Sequence, residues 1–156
     1  MSRSPMTRDG YARIREELEK LKREDRVQII KEIQVARSHG DISENAEYHA
    51  AREKQGWIEA KIRDLETRLA SSEIVDVTPG PKDRVAFGSR VRLEDAETGG
   101  QKVYHIVGPH ESDVDQGRIS ITSPLGRAML GKEVGDEVVV KAPGGTMEYE
   151  VLEIFD

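Results

Sequence analysis

Three acidic residues lie close together in the first third of the chain, and their chemistry raises the first functional question. Asp41, Glu44 and Glu47 occur in a stretch without any lysine or arginine between Arg37 and Arg52, although the 156-residue sequence has 24 basic residues. Carboxylate oxygens suit Mg²⁺, which is commonly shared between a few protein carboxylates and substrate phosphates. Two carboxylates cannot enclose an ion by themselves, so a projecting site of this kind could only complete the metal site of a partner.

The same acidic residues are also compatible with a structural role. Asp41 and Glu44 have the spacing of a capping box, in which side chains satisfy free backbone N–H groups at the start of a helix. Acidic residues there also favour the positive end of the helix dipole. Asp41 or Ser43 would then cap the helix that follows Gly40. The local sequence therefore leaves two interpretations open, a helix cap and a metal ligand.

The composition favours a binding protein over an enzyme with a deep cavity of its own. Charged residues make up 35% of the sequence and aromatic residues only 4%, and pockets for small molecules are usually lined by apolar and aromatic side chains. The formal net charge of −6 argues against free nucleic acid as a general partner, because binding a phosphate backbone requires a basic surface. Cysteine is absent, which excludes disulfides and thiolate chemistry. No apolar run approaches the roughly 20 residues that cross a bilayer, so we expect a soluble, cytoplasmic protein with no membrane partner.

The first half of the sequence predicts a helical hairpin. No proline occurs between Thr7 and Ser72, and two stripes of apolar residues follow the spacing of an α-helix. The first stripe is interrupted near Asp25 and Gln28 and resumes with a shift, and Gly40 predicts the end of this helix. Two antiparallel arms of about 30 residues would be about 45 Å long, with the acidic residues at the tip. The stripes consist of Tyr11, Ile14, Leu18, Leu21, Ile29, Ile30, Ile33 and Ala36, and then of Ile58, Ile62, Leu65 and Leu69.

The second half predicts an α+β domain, an antiparallel sheet with one short helix. Apolar and polar residues alternate in short segments that glycine-containing turns separate. Pro143-Gly144-Gly145 predicts a hairpin turn, and Ser123-Pro124 predicts the start of the helix. The predicted domains are residues 1–76 and 77–156, which meet near a stiff connection from Val77 to Pro81. The predicted strands lie at Arg90–Leu93, Val103–Val107, Arg118–Ile121, Glu137–Val140 and Glu148–Ile154.

The segment Arg37–Glu53, RSHGDISENAEYHAARE, resembles the hairpin tip of GreA-type bacterial transcript cleavage factors. This resemblance implies an N-terminal antiparallel coiled coil that enters the secondary channel of bacterial RNA polymerase. It also implies a C-terminal FKBP-like domain that docks near the channel rim. Ile42 stands where leucine is commoner in the family, a change that conserves volume. The likeness continues at Phe87-Gly88, Ile106-Val107-Gly108, Ser123-Pro124, Leu130-Gly131-Lys132 and Pro143-Gly144-Gly145.

The resemblance also implies an activity and a role for individual residues. Such factors are not enzymes; they stimulate the polymerase's own Mg-dependent cleavage of the 3′ end of backtracked nascent RNA and so rescue arrested complexes. Matching motif positions imply that Asp41 and Glu44 help to hold the second Mg²⁺ of the polymerase active site. The free protein would be a monomer and would bind no metal tightly. The residues with implied RNA contacts are Arg37 and Arg52, and those with implied polymerase docking are Ser123 and Pro124.

Rival interpretations of the function come from a different class of protein. The chain could be a coiled-coil adaptor, or an inhibitor that occupies the polymerase channel, with acidic residues that only cap a helix. An FKBP-like fold also raises prolyl isomerase activity, but the second half offers few aromatic residues for a proline pocket. These are Phe87, Tyr104, Tyr149 and Phe155.

Several single residues have a simpler interpretation than the functional one. Arg37 and Arg52 also suit the solvated flank of a coiled coil, and Ser123 with Pro124 is equally explained by a helix start. His39 and His49 lack further zinc ligands nearby, and we expect them to face solvent. Trp57 and Tyr48 could stack on bases, but we expect both to pack in the helical seam.

Overall fold

The computed structural model describes residues 3–41, 45–77 and 83–155. They form two compact units, one from Ala12–Ser71 and one that combines residues 3–11 with the described residues from Ser72 onward. The predicted division at residues 76 and 77 placed the first eleven residues with the hairpin. They group with the sheet instead, because β1 (Ser4–Met6) pairs in parallel with β2 (Ser72–Ile74). Most of the predicted stiff connection, residues 78–81, lies outside the described residues.

The helical unit is a hairpin of two arms that run in opposite directions. The first arm contains α1 (Arg8–Lys20), a π-helical turn (Leu21–Asp25) and α2 (Arg26–Arg37), and the second is α3 (Ala46–Ala70). The 25 residues of α3 span about 37 Å. Ion pairs join early residues of the first arm to late residues of α3, which establishes the antiparallel direction. They link Lys22 to Glu66, Arg26 to Glu59 and Glu32 to Lys54.

The π-helical turn explains the shift in the first apolar stripe. Leu21 and Ile29 are eight residues apart, and eight residues of regular α-helix at about 100° each would turn Ile29 about 80° away from Leu21. A π turn contains about one residue more than an α turn, so it removes about 100° and brings the two side chains to within about 20°. Both are buried. The interruption predicted near Asp25 and Gln28 is therefore absorbed without a break in the helix.

Most residues of the two stripes are buried in the seam of the hairpin, but Tyr11 and Leu69 are only half-buried and Ile30 is exposed. Ile30 is 43% exposed and Trp57 is 66% exposed, so the prediction that these two side chains pack in the seam is wrong. Trp57 precedes the buried Ile58 by one residue, which turns it about 100° away from the seam. The buried seam residues are Ile14, Leu18, Leu21, Ile29, Ile33 and Ala36 in the first arm and Ala51, Ile58, Ile62 and Leu65 in α3.

The second unit is built on a five-stranded sheet, and the predicted combination of a helical hairpin with an α+β sheet domain is confirmed. The strand order is β5-β4-β3-β7-β6. All neighbours are antiparallel except β4 and β5, which pair in parallel, so the prediction of a purely antiparallel sheet is wrong at this edge. The strands are β3 (Arg90–Asp95), β4 (Gln101–Val107), β5 (Arg118–Ser120), β6 (Glu137–Ala142) and β7 (Gly145–Phe155).

A bulge and a tight turn shape the long last strand. Pro143 and Gly144 connect β6 to β7, since Ala142 pairs with Gly145 across the turn, which confirms the predicted hairpin. Further along β7 the pairing with β3 shifts by one residue between Arg92 and Leu93. This bulge lets β7 direct both Val151 and Ile154 into the core, although their separation breaks the two-residue alternation of a strand.

The core of this unit lies between the sheet and the short helix α4 (Pro124–Met129). Met129 at the end of α4 is fully buried, and Gly131 follows with a φ of +81°, a conformation that favours glycine just after a helix. No helix among residues 3–41, 45–77 and 83–155 has the length and apolar character of a membrane span. The core residues are Val85, Val91, Leu93, Ile106, Ile119, Met129, Val138, Val140, Val151 and Ile154.

Candidate functional site

The end of the first arm leads directly to the first of the acidic residues. α2 ends at Arg37, and the backbone N–H of Ser38 donates to the carbonyl of Gln34 at 3.3 Å. Gly40 adopts a φ of +118°, which favours glycine, and so turns the chain away from the helix axis. Asp41 follows and is exposed. Glu44, the second predicted ligand, lies outside the described residues.

The second arm begins with an asparagine cap. Oδ1 of Asn45 accepts from the backbone N–H of Tyr48 at 3.0 Å, and its Nδ2 donates to the carbonyl of Ala36 at the end of α2. One side chain thus satisfies a free N–H of α3 and joins it to the carbonyl of Ala36, which also accepts from the backbone N–H of His39 at 3.2 Å. The prediction that Asp41 caps α3 is wrong, because the N-cap of α3 is Asn45; Ser43, the alternative predicted cap, lies outside the described residues. The signal was present in the sequence, since asparagine is among the preferred N-cap residues.

Arg37, Tyr48 and Arg52 form a basic and aromatic group on one side of the tip. The guanidinium carbon of Arg37 lies 5.7 Å from the centroid of the Tyr48 ring, within the range of a cation–π contact. Arg52 follows Tyr48 by one helical turn, which places both on the same side of α3. Nη1 of Arg52 donates to Oε1 of Gln55 at 3.1 Å. Tyr48 is half-buried and both arginines are exposed, so Tyr48 packs against the other arm but not deep in the seam.

The histidines of the tip contact other side chains. Nδ1 of His39 lies 3.7 Å from Oε2 of Glu47, and both side chains are mostly exposed. His49 meets the edge of the Tyr48 ring at 5.6 Å between centroids. Across the described ranges, no three or more His, Cys, Asp or Glu side chains are grouped so as to hold a metal ion.

Ion pairs hold the two arms together below the tip. Arg26 donates two hydrogen bonds to the carboxylate of Glu59, at 2.8 and 2.7 Å. These hydrogen bonds lower the pKa of Glu59 and raise the pKa of Arg26. Desolvation acts in the opposite direction on each pKa but has the smaller effect. A bidentate pair of this kind fixes the arms more precisely than a single contact between mobile side chains.

The predicted docking residues lie at the start of α4, far along the chain from the tip. Oγ of Ser123 accepts from the backbone N–H of Gly126 at 3.0 Å and donates to the carbonyl of Ser120 at 2.7 Å. Pro124 occupies the first turn of α4 and is exposed. Ser123 therefore starts the helix as predicted, and its hydroxyl is engaged within this unit. Pro124 presents its ring to solvent.

Comparison with known proteins matches both parts of the chain to one family. Residues 4–74 match the model "Transcription elongation factor, N-terminal", and residues 80–156 match "Transcription elongation factor, GreA/GreB, C-term". The chain belongs to the GreA/GreB family of transcription elongation factors. The family resemblance predicted from the tip residues is confirmed.

The GreA/GreB family relatives resemble the chain over its whole length. Transcription elongation factor GreA of Anaeromyxobacter sp. (strain K) is 54% identical, over 99% of this chain and 93% of the relative. GreA of Thermodesulfovibrio yellowstonii is 51% identical, over 97% of this chain and 96% of the relative. Among solved structures, GreA factor homolog 1 of Thermus thermophilus is 32% identical over 99% of both chains, with a TM-score of 0.44.

Proposed function

We propose that this chain binds bacterial RNA polymerase, inserts its hairpin tip through the secondary channel and stimulates cleavage of the 3′ end of backtracked nascent RNA. The polymerase carries out the cleavage, and this chain is a non-enzymatic cofactor that rescues arrested complexes. It acts as a monomer in the bacterial cytoplasm. Asp41 and Glu44 are the residues that we propose to be essential for stimulation.

The observation that carries this proposal is the cap formed by Asn45. The structural explanation for the acidic residues required Asp41 to cap α3, but Asn45 accepts the hydrogen bond from Tyr48 and also reaches the carbonyl of Ala36. The N-cap of α3 is therefore Asn45 and not Asp41. Asp41 is exposed beside the turn at Gly40, in a stretch without basic residues, and an exposed carboxylate of this kind suits the metal site of a partner.

The donor chemistry of the tip fits a shared Mg²⁺. Asp41 is exposed next to Gly40 at the end of the hairpin, and a carboxylate oxygen is a hard ligand of the kind that Mg²⁺ prefers. Asp41 with Glu44 would hold the second ion of the polymerase active site, where Mg²⁺ supplies charge stabilisation and an activated water. The chain contributes anionic oxygens at the end of a hairpin whose two arms are joined to each other. The Asn45 side chain joins them at the tip, and the Arg26–Glu59 pair joins them below it.

Two further surfaces would assist this role. Arg37 and Arg52 flank Tyr48 on the tip, and we assign them contacts with the extruded RNA, because guanidinium groups bind phosphates through paired hydrogen bonds. The start of α4 would dock on the channel rim. Pro124 is the exposed member of the predicted docking pair and would make the direct contact, while Ser123 holds the turn.

A cleavage assay with halted polymerase tests the proposal. Asp41→Asn, Glu44→Gln and the double variant remove charge with little change of shape, and we expect loss of short 3′ RNA fragments by at least about tenfold, since each carboxylate would act in the transition state. Glu47→Gln is the matched control at the same tip and should retain stimulation. Polymerase binding should be the same for all variants.

The rival functions give different results in the same experiment. If this chain is instead an inhibitor that occupies the channel, the unaltered chain should slow elongation and release no RNA fragments. Normal stimulation by the double variant would overturn the role given to the acidic residues. A second arm compares Arg37→Glu on transcripts with short and long backtracked ends; the RNA contact requires a greater loss on the long ones, and an equal loss on both contradicts it.

A further inference from the structure

Glu111 is a buried carboxylate of the sheet unit. It follows β4 in a turn, in which its N–H donates to the carbonyl of Gly108 at 3.2 Å, and it is only 6% exposed. Its Oε2 accepts from the backbone N–H groups of Thr7 at 2.6 Å and Gly108 at 3.0 Å, and its Oε1 accepts from the hydroxyl of Thr7. A buried charge is costly unless donors surround it, and here Thr7, which supplies two of the donors, is 104 residues from Glu111 in sequence.

The contacts of Thr7 connect Glu111 to the beginning of α1. Besides donating to Glu111, Oγ1 of Thr7 accepts from the backbone N–H of Gly10 at 3.0 Å, which makes Thr7 the N-cap of the helix. Thr7 is 6% exposed, and Met6 before it is fully buried. The negative charge of Glu111 also lies at the positive end of α1. The first turn of α1 is therefore held by a side chain of the sheet unit.

Two glycines allow this close approach. A Cβ atom at Gly10 would overlap the carboxylate of Glu111, and a Cβ atom at Gly108 would overlap the carbonyl of Pro5. Both positions thus bring the N-terminal segment against the turn that carries Glu111. The combination of Thr7, Gly10, Gly108 and Glu111 constitutes a specific attachment, which we call the α1 clamp.

The other contacts of this segment are weaker in specificity. Arg8 forms a hydrogen-bonded ion pair with Asp76, at 2.9 and 3.1 Å, but both side chains are mostly exposed to solvent, where ion pairs contribute little. The strand β1 pairs with β2 over three residues. A buried carboxylate whose donors are fixed in number and direction tolerates one arrangement only.

We propose that Glu111 is a positioning residue for the cleavage stimulation assigned above, and that it acts by fixing the start of the helix whose arm ends at the acidic tip. This inference rests on the proposed function. α1 leads through the π-helical turn into α2, which ends four residues before Asp41. A carboxylate that completes a metal site must be placed within a fraction of an ångström, and a misplacement of about 1 Å costs on the order of 100-fold in rate.

The test measures two quantities separately: the maximal rate of RNA cleavage at saturating factor, and the factor concentration that gives half of this rate. Cleavage in halted complexes is measured against the concentration of factor for the unaltered chain, Glu111→Ala, Thr7→Val and Thr7→Ser. Thr7→Ser keeps the hydroxyl that both donates to Glu111 and caps α1, whereas Thr7→Val removes it without a large change of shape. Glu97→Ala, which removes an exposed carboxylate from another turn of the same unit, is the matched control.

We expect Glu111→Ala and Thr7→Val to lower the maximal cleavage rate about tenfold or more, while Thr7→Ser and Glu97→Ala keep it. Partial unfolding alone would raise the half-saturating concentration and leave the maximal rate unchanged. Maximal rates equal to that of the unaltered chain in both clamp variants would overturn the inference but not the proposed function. If Glu111→Ala does not fold, the Thr7→Val and Thr7→Ser pair decides. Failure of the unaltered chain to stimulate cleavage would instead refute the proposed function.

Discussion

At the scale of single residues, Asn45 separates folding from function at the tip. Its amide joins the start of α3 to the end of α2 through Tyr48 and Ala36. The N-cap of α3 therefore does not depend on Asp41, which is exposed next to Gly40. The distinction matters for experiments, because a substitution that unfolds the tip and one that removes a metal ligand would both abolish stimulation.

We predict that Asn45→Ala lowers the free energy of unfolding of the hairpin by about 1 kcal/mol, the usual cost of losing an N-cap. Asn45→Asp keeps the acceptor for the Tyr48 N–H but loses the donor to Ala36, so it should lower the free energy of unfolding by less than Asn45→Ala does. Asp41→Asn should change stability by less than about 0.5 kcal/mol, as expected for an exposed site that is not a cap. Urea unfolding followed by the helical circular dichroism signal measures all three. An Asp41→Asn loss as large as that of Asn45→Ala would restore the capping interpretation.

At the scale of elements, the π-helical turn keeps two differently phased stripes on one seam. Leu21 and Ile29 both reach the seam because Leu21–Asp25 uses one residue more than a regular turn. π turns frequently originate from such an additional residue, and many occur at functional sites. Here the effect of the turn is structural, because it allows both Leu21 and Ile29 to be buried in the seam.

Deletion of Arg23 from the π-helical turn should convert it to a regular α turn and leave the seam in phase. Arg23 is exposed, and we expect the urea midpoint of the hairpin to stay close to that of the unaltered chain. Deletion of Lys31, which is also exposed, lies outside the π turn and would rotate Ile29 by about 100° relative to Ile33. That variant should lose about 2 kcal/mol or more, the cost of removing a buried isoleucine from a core. Equal losses in the two deletions would contradict the role of the π turn.

The elements with a strong periodic signal were predictable, and those fixed by distant contacts were not. The apolar stripes, the Pro143-Gly144 turn and the start of α4 at Ser123 follow from local spacing and turn chemistry. β1 has three residues and contains Pro5, so no alternation identifies it, and its partner β2 is 68 residues away. Parallel pairing of β5 with β4 likewise depends on the connection between them, not on their own residues.

The residues of the candidate site follow the same division. Asp41 was identifiable because chemistry and spacing coincide in a short stretch. The cap was assigned to the wrong residue, since the capping-box spacing of Asp41 and Glu44 is as good a local match as Asn45. Glu111 gave no sequence signal at all, because a single glutamate after a strand is ordinary until the fold brings Thr7 to it.

At the scale of the whole molecule, the structural units are not continuous in sequence. Residues 3–11 belong with the sheet unit, and the hairpin Ala12–Ser71 is inserted after the first turn of α1. Met6 and Thr7, both buried in the sheet unit, would be lost from any fragment that begins at the second half of the chain.

We predict that a sheet fragment requires the N-terminal segment for full stability. In one fragment, residues 3–11 are joined to 72–156 by a flexible Gly-Ser linker of about eight residues; the other contains residues 77–156 alone. The first should be more stable by about 2–5 kcal/mol, because it retains the buried Met6. Urea unfolding measures the difference, and Met6→Ala in the linked fragment should remove most of it. Identical midpoints for the two fragments would show that the N-terminal segment contributes nothing to the sheet unit.

The 104-residue separation between Thr7 and Glu111 also orders events during protein synthesis. At about 5–20 residues per second, the ribosome makes Glu111 roughly 5–20 s after Thr7, whereas helical contacts within the hairpin form in far less time. A nascent chain thus completes the helical hairpin first, and the apolar Met6, which precedes the hairpin, is exposed during this time. The hydrogen bonds between Thr7 and Glu111 can form only after Glu111 has been translated.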